Sequence, residues 1–233
     1  MNLKYANRTD FIVIGMSALS LIAFAINTRL ASIIPLYLNS AIVLGIFTYC
    51  AIRRDATGKL RQSLIIGSVA GAFYTFVDSI FVEEQMLVYL RKDLNIFSTP
   101  ASIVLTWICG IVIAIYLYLR LRSLFSRFYI PSALTGAAAF LLSILFHYLA
   151  EHGRLWIWNA RSVPLSPAVL STPLFVPVAL FLTFFISPYI VGGQRISKRI
   201  GLTDNPLVGG FRCAVILAMT VHISLFIVFR IFV

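Results

Sequence analysis

The sequence predicts an all-α, polytopic membrane protein: a single domain, residues 1–233, of seven transmembrane helices. Three observations carry that expectation. Of the 233 residues, 60% are hydrophobic and 12% charged, where soluble domains run nearer half and a quarter. Mean hydropathy is +0.95 along the chain, so no stretch is left for a separate soluble domain. Seven segments also reach the roughly 20 mostly apolar residues that a bilayer-crossing helix needs.

The first segment, 10–28, starts beside Phe11, shows no small-residue cleavage site and is followed by more spans, so it reads as a helix and not as a removed signal. The second, 33–52, has Pro35 in its first turn, and Gly58 separates it from the third, 63–90. Pro100, Pro131 and Pro173 open the fourth (99–120), fifth (130–151) and sixth (170–191), and Gly209 opens the seventh, 209–233. Cys50, Cys109 and Cys213 fall in three different segments without paired spacing, as small packing residues do.

The net charge is +11, but Lys and Arg lie between the apolar runs. Thirteen of the 19 fall on the side of the N-terminus, Arg53, Arg54, Arg120 and Arg122 among them, and six on the other, including Arg91, Lys92 and Arg154. The positive-inside rule then puts the N-terminus in the cytoplasm and the C-terminus outside, in a membrane expected to be a prokaryotic cytoplasmic membrane. No clustered basic face is available for phosphates, which excludes a nucleic-acid partner. The expected partners are the bilayer and a membrane lipid.

The chain also repeats itself. Slid by 73 residues, Asp78 falls on Glu151, Ser98-Thr99-Pro100 on Ser171-Thr172-Pro173, Tyr116 on Tyr189 and Arg122 on Arg195. Each S-T-P opens a helix, with a Ser or Thr cap and Pro at the first helical position. Spans 3–4 and 5–6 therefore read as a tandem helical-hairpin repeat in parallel orientation, with Asp78 and Glu151 facing one another across a shared cavity.

Charges are costly at this depth, about 2.5–3.5 kcal/mol at the bilayer centre on insertion scales. Asp78 is placed there in the stretch VDSIFVEEQ. It is either a general acid or ligand, or one end of a buried helix-to-helix hydrogen bond, for which Tyr74 is a candidate. Glu83 and Glu84 point about 100° apart on a helix, so one of them, Glu83 in the catalytic set, faces inward. The segment HYLAEHGRLWIWN, 147–159, gathers His147, Tyr148, Glu151, Trp156, Trp158 and Asn159. Its Trp residues suit an aromatic belt, or, with Pro164 and Pro167 beyond, a lid over the cavity. No CxxC or HExxH pattern points to a metal, no GxGxxG or Walker sequence to a nucleotide, and no buried Lys to a retinal Schiff base. No cofactor is expected.

Buried carboxyls among aromatics suit an apolar substrate. A desolvated acid can protonate an alkene, and aromatic faces stabilise the carbocation that results. The candidate catalytic residues are Asp78, Glu83 and Glu151, and the candidate substrate-binding residues are Tyr74, Trp107, His147, Tyr148, Trp156, Trp158 and Asn159. VEEQMLVYL, 82–90, resembles the acidic motif of the membrane lycopene cyclases, with Phe81 and Val82 where that motif has a Pro. Glu151, Gly153, Trp156, Trp158, Pro173 and Pro177 follow an order similar to that of integral-membrane carotenoid hydratases. The resemblance covers 78–192. It implies a bundle of repeated helical hairpins and cofactor-independent, acid-initiated cyclisation or hydration of an isoprenoid. The alternatives are a proton-coupled small-solute transporter and a non-catalytic, pigment-binding subunit of a membrane complex.

Overall fold

The structure, a computed structural model, describes residues 7–30, 32–127, 129–159, 168–192 and 205–232. The expected lid around Pro164 and Pro167, the Arg195 match, and the topology cations Lys4, Arg161, Lys198 and Arg199 lie outside the described residues. Helices dominate: α1 (Arg8–Leu30), α2 (Ile34–Arg53), α3 (Lys59–Glu83), α4 (Ala101–Leu124), α5 (Tyr129–His152), α6 (Phe175–Phe185), α7 (Ser187–Val191) and α8 (Pro206–Phe232). Six of them, all but α6 and α7, are long and apolar enough to cross a membrane. Their outward faces carry large apolar side chains such as Ile14, Leu141 and Val215, as helices solvated by lipid do. The chain is a multi-pass membrane protein.

Local chemistry sets most boundaries. Asn7 and Asp10 bond each other's backbone N–H at 2.8 and 2.9 Å, a reciprocal cap on α1. Asp10 then receives Arg120 Nε and Tyr116 Oη, each at 2.8 Å, which pins α1 to α4 through a partly buried ion pair. Asp55 accepts the backbone N–H groups of Leu60 and Arg61 and so caps α3.

Two expected spans are corrected. The third, expected to run to residue 90, ends as a helix at Glu83. Gln85 turns the chain at φ 56° into β1 (Leu87–Tyr89). The apolar run continues past the helix end because these residues form a strand, with Leu87 buried. The sixth, expected as one helix over 170–191, begins as strand and then divides. Pro188 has no N–H to continue α6, and Ser187 Oγ caps the Phe184 carbonyl at 2.5 Å where the helix restarts as α7.

Short strands complete the repeat. β2 (Asn95–Ile96) and β3 (Thr99–Pro100) form one hairpin, β5 (Ala168–Val169) and β6 (Thr172–Pro173) another. β1 pairs antiparallel with β4 (Trp156–Trp158) in the register Leu87↔Trp158, Val88↔Ile157, Tyr89↔Trp156. Up to these strands the two units correspond at a shift of 69 residues, Asp78 onto His147, and from the hairpins onward at 73. The shift of 69 reproduces individual hydrogen bonds. Met86 N to Phe81 O matches Leu155 N to Ala150 O, and Leu90 N to Leu155 O matches Asn159 N to Met86 O. The β1–β4 register maps onto itself under that shift, so a local two-fold passes through Val88 and Ile157.

Within each unit the helices approach closely at glycine. A Cβ on Gly67 would lie 2.8 Å from the Val112 backbone N, and one on its counterpart Gly136 would lie 2.8 Å from the Phe181 carbonyl. Helix α8 packs against α3 and α6 and closes the bundle.

Candidate functional site

Where α3 and α5 end, the β1–β4 ribbon spans the gap between the two units. A cavity of about 190 Å³ lies against it, walled by α1, α3, α4, α5, α6 and both strands. Its lining is almost wholly apolar, with Phe24, Phe81, Trp107, Phe175 and the ribbon residues Leu87, Tyr89, Trp156 and Trp158 among its members. Ring contacts knit that wall: Tyr74 on Trp107 at 4.4 Å between centroids, Phe24 on Trp156 at 6.2 Å, Trp158 on Phe175 at 5.4 Å and Tyr89 on Trp156 at 6.3 Å.

Asp78 is the carboxylate of this wall, 3% exposed. Its Oδ2 accepts two hydrogen bonds, from Tyr89 Oη at 2.6 Å and from Thr99 Oγ1 at 2.8 Å. The threonine is held in turn by Ser79 Oγ at 3.2 Å, which accepts the Ser98 N–H at 3.2 Å. Since Thr99 gives its single proton to Asp78, Ser79 is the donor to Thr99. Oδ1 takes no hydrogen bond from the described residues. With both lone-pair positions of Oδ2 occupied, the proton of a neutral Asp78 sits on Oδ1.

His147 holds the equivalent position in the second unit. Its Nδ1 accepts from Trp156 Nε1 at 3.0 Å and from Trp158 Nε1 at 3.1 Å. Tyr89 and Trp158 are also equivalent, so each unit's strand reaches back to the polar residue of its own preceding helix. Tyr89 and Trp156 are register partners across the ribbon.

Of the residues singled out from sequence, the structure brings Asp78, Tyr74, Trp107, His147, Trp156 and Trp158 to one cavity. It places the others elsewhere. Glu83 is exposed and accepts Ser98 Oγ at 3.0 Å, and Glu84 is exposed as well, so neither faces the cavity. Glu151 does not line it either: at the shift of 69 its counterpart is Val82, and the expected Asp78–Glu151 pairing gives way to Asp78 and His147. Tyr148 lies on the His152 ring at 4.1 Å. Asn159 donates to the Gln85 carbonyl at 3.0 Å and lines a separate recess with Arg91 and Lys92. Tyr74 packs on Trp107 and does not bond Asp78.

Sequence reasoning missed Tyr89 and Thr99. Thr99 stood in the repeated S-T-P, where it was read only as a cap. Asp93 was missed too. It accepts Tyr37 Oη, Ser102 Oγ at 2.5 Å, Ser102 N at 3.2 Å and Leu94 N at 2.7 Å, and so fastens the first hairpin to α2 and α4. Burial works to raise its carboxyl, but these hydrogen bonds outweigh burial and hold it below the ordinary carboxylate range. Among the described residues, no three His, Cys, Asp or Glu side chains are placed to hold a metal ion. Comparison with protein families, with curated proteins and with solved structures gives no significant match.

Proposed function

We propose that the chain is an isoprenoid cyclase or hydratase of a prokaryotic cytoplasmic membrane, initiating reaction by protonation from Asp78. It crosses seven times, with the N-terminus cytoplasmic and the C-terminus outside as the Lys and Arg balance requires. α6 and α7 together make the sixth crossing, and the two repeats are related about the membrane normal. Seventeen residues rise only about 25 Å, so the β5–β6 hairpin completes that crossing. The β1–β4 ribbon then lies toward the outer leaflet.

The carrying observation is Asp78 itself, a carboxyl in an aromatic cavity whose hydrogen-bond partners among the described residues are two hydroxyl donors on one oxygen. The other oxygen is open to a ligand. A neutral acid there gives its proton to one carbon of an alkene. The π pair forms the new C–H bond, the O–H pair stays on Asp78, and the adjacent carbon becomes cationic. Trp107, Trp156, Trp158 and Tyr74 offer π faces to that cation. Attack by a second alkene closes a ring, and return of a proton to Asp78 restores the acid. Attack by water makes the hydrated product instead. At about 190 Å³ the cavity is smaller than the 300–1,000 Å³ usual for whole ligands, so it takes the end of a long chain.

The test is mass spectrometry of lipids that co-purify with the protein, followed by incubation of the bound prenyl lipid or polyene in D₂O. Deuterium incorporated into a cyclised or hydrated product supports the reading. An isoprenoid retained without turnover supports a pigment-binding subunit, and ordinary phospholipid alone turns attention to proton-coupled transport.

A further inference from the structure

His147 is tied to a single tautomer. An indole N–H only donates, and two of them point at Nδ1. Nδ1 therefore carries no proton, and the proton of the neutral ring sits on Nε2. No hydrogen bond among the described residues uses Nε2. The ring lines the cavity. Two tryptophans thus orient one imidazole so that its spare N–H is offered to whatever the cavity holds. A pure hydrocarbon would leave that donor unpaired, at a cost in affinity. An oxygen atom would accept it.

We infer that His147 donates a hydrogen bond through Nε2–H to an oxygen of the ligand, and hence that the isoprenoid in the cavity carries a carbonyl or hydroxyl group. The inference rests on the isoprenoid reading and narrows its substrate class. The two-fold assigns the roles: Asp78 meets an alkene carbon, while the equivalent His147 holds an oxygenated position. His147 is a binding residue in this scheme and transfers no proton.

The chain has three tryptophans, and Trp107, Trp156 and Trp158 all line the cavity, so intrinsic fluorescence reports occupancy directly. Farnesylacetone, a prenyl ketone, and a prenyl hydrocarbon of equal length are titrated into the full chain in detergent. The ketone is expected to bind roughly five- to tenfold more tightly, and His147→Phe to erase that preference. Because His147→Phe leaves two indoles without an acceptor and can impair folding, the unmutated chain labelled with ¹⁵N-histidine supplies a second readout. It contains three histidines, and the His147 Nε2 resonance is expected to move with the ketone and not with the hydrocarbon. Equal affinities, or an Nε2 resonance indifferent to the ketone, overturn the assignment while leaving the isoprenoid reading in place. If neither compound binds, the isoprenoid reading falls and this inference with it.

Discussion

The first hairpin unit, α3 through α4, and the second, α5 through α6, share a backbone frame and hold different chemistry in it. At one position the first places Asp78, bonded by Tyr89 and Thr99, and the second places His147, bonded by Trp156 and Trp158. The frame corresponds down to single hydrogen bonds, such as Met86 N to Phe81 O and Leu155 N to Ala150 O. What differs is the direction of the polar bonds. The first unit spends hydroxyl donors on one carboxyl oxygen and leaves the other without a hydrogen bond from the described residues. The second spends indole donors on Nδ1 of an imidazole and leaves Nε2 without a hydrogen bond from the described residues. A repeated scaffold holds a carboxyl on one side of a two-fold and an imidazole on the other.

The sharpest way to break this comparison is Asp78→Asn. Its amide oxygen still accepts from Tyr89 and Thr99, so folding should survive while turnover falls by roughly 10²-fold or more. Residual activity near the original in a well-folded variant would remove Asp78 as the acid. Next come the glycines of the shared frame. Gly67→Ala and Gly136→Ala should each cost about 1–3 kcal/mol, because a Cβ at either site meets backbone at 2.8 Å. Thermal unfolding that found one harmless would show that the two units do not pack alike.

Smaller effects separate the units. Thr99→Val should lower stability by about 1–2 kcal/mol and slow turnover, since it removes a donor to Asp78. Thr172→Val, whose hydroxyl among the described residues reaches the Ile144 carbonyl at 3.5 Å, should cost less than about 1 kcal/mol and leave turnover alone. Equal losses in both assays would mean that Thr99 matters as a frame residue only. The mildest test concerns Asp93, which fastens the first hairpin. Its folded-state affinity for protons is depressed, so its contribution is complete above the unfolded carboxylate range near 3.9. That contribution fades as pH falls through the lower folded value. Asp93→Asn should flatten the acid limb of a stability–pH profile, and an unchanged limb would place the acid sensitivity elsewhere.

Several features were legible from residues alone. Asp78 stood out because an acid within an apolar run is costly, and His147, Trp156 and Trp158 because they crowd one short polar segment. The repeat was legible through S-T-P, but at one shift only. Four extra residues between β4 and β5 change the shift from 73 to 69 for everything upstream. The alignment that superposed the hairpins correctly therefore matched Asp78 to Glu151 and not to His147. Tyr89 was hidden for a different reason: LVYL, 87–90, is apolar enough to prolong a helix, and hydropathy does not distinguish an apolar strand from the end of a span.

By itself, the sequence determined that this chain lives in a bilayer and, to within a turn, where five of its long helices run: the first, second, fourth, fifth and last. Those are local properties, set by side-chain transfer energies and by the backbone groups that each residue can or cannot bond. Only the tertiary structure decided that Glu83, Glu84 and Glu151 stay outside the cavity while Tyr89 and Thr99 bond Asp78. That choice depends on an antiparallel pairing between strands 69 residues apart. Such a pairing is selected by packing across the whole bundle, which no local pattern of hydropathy or charge encodes.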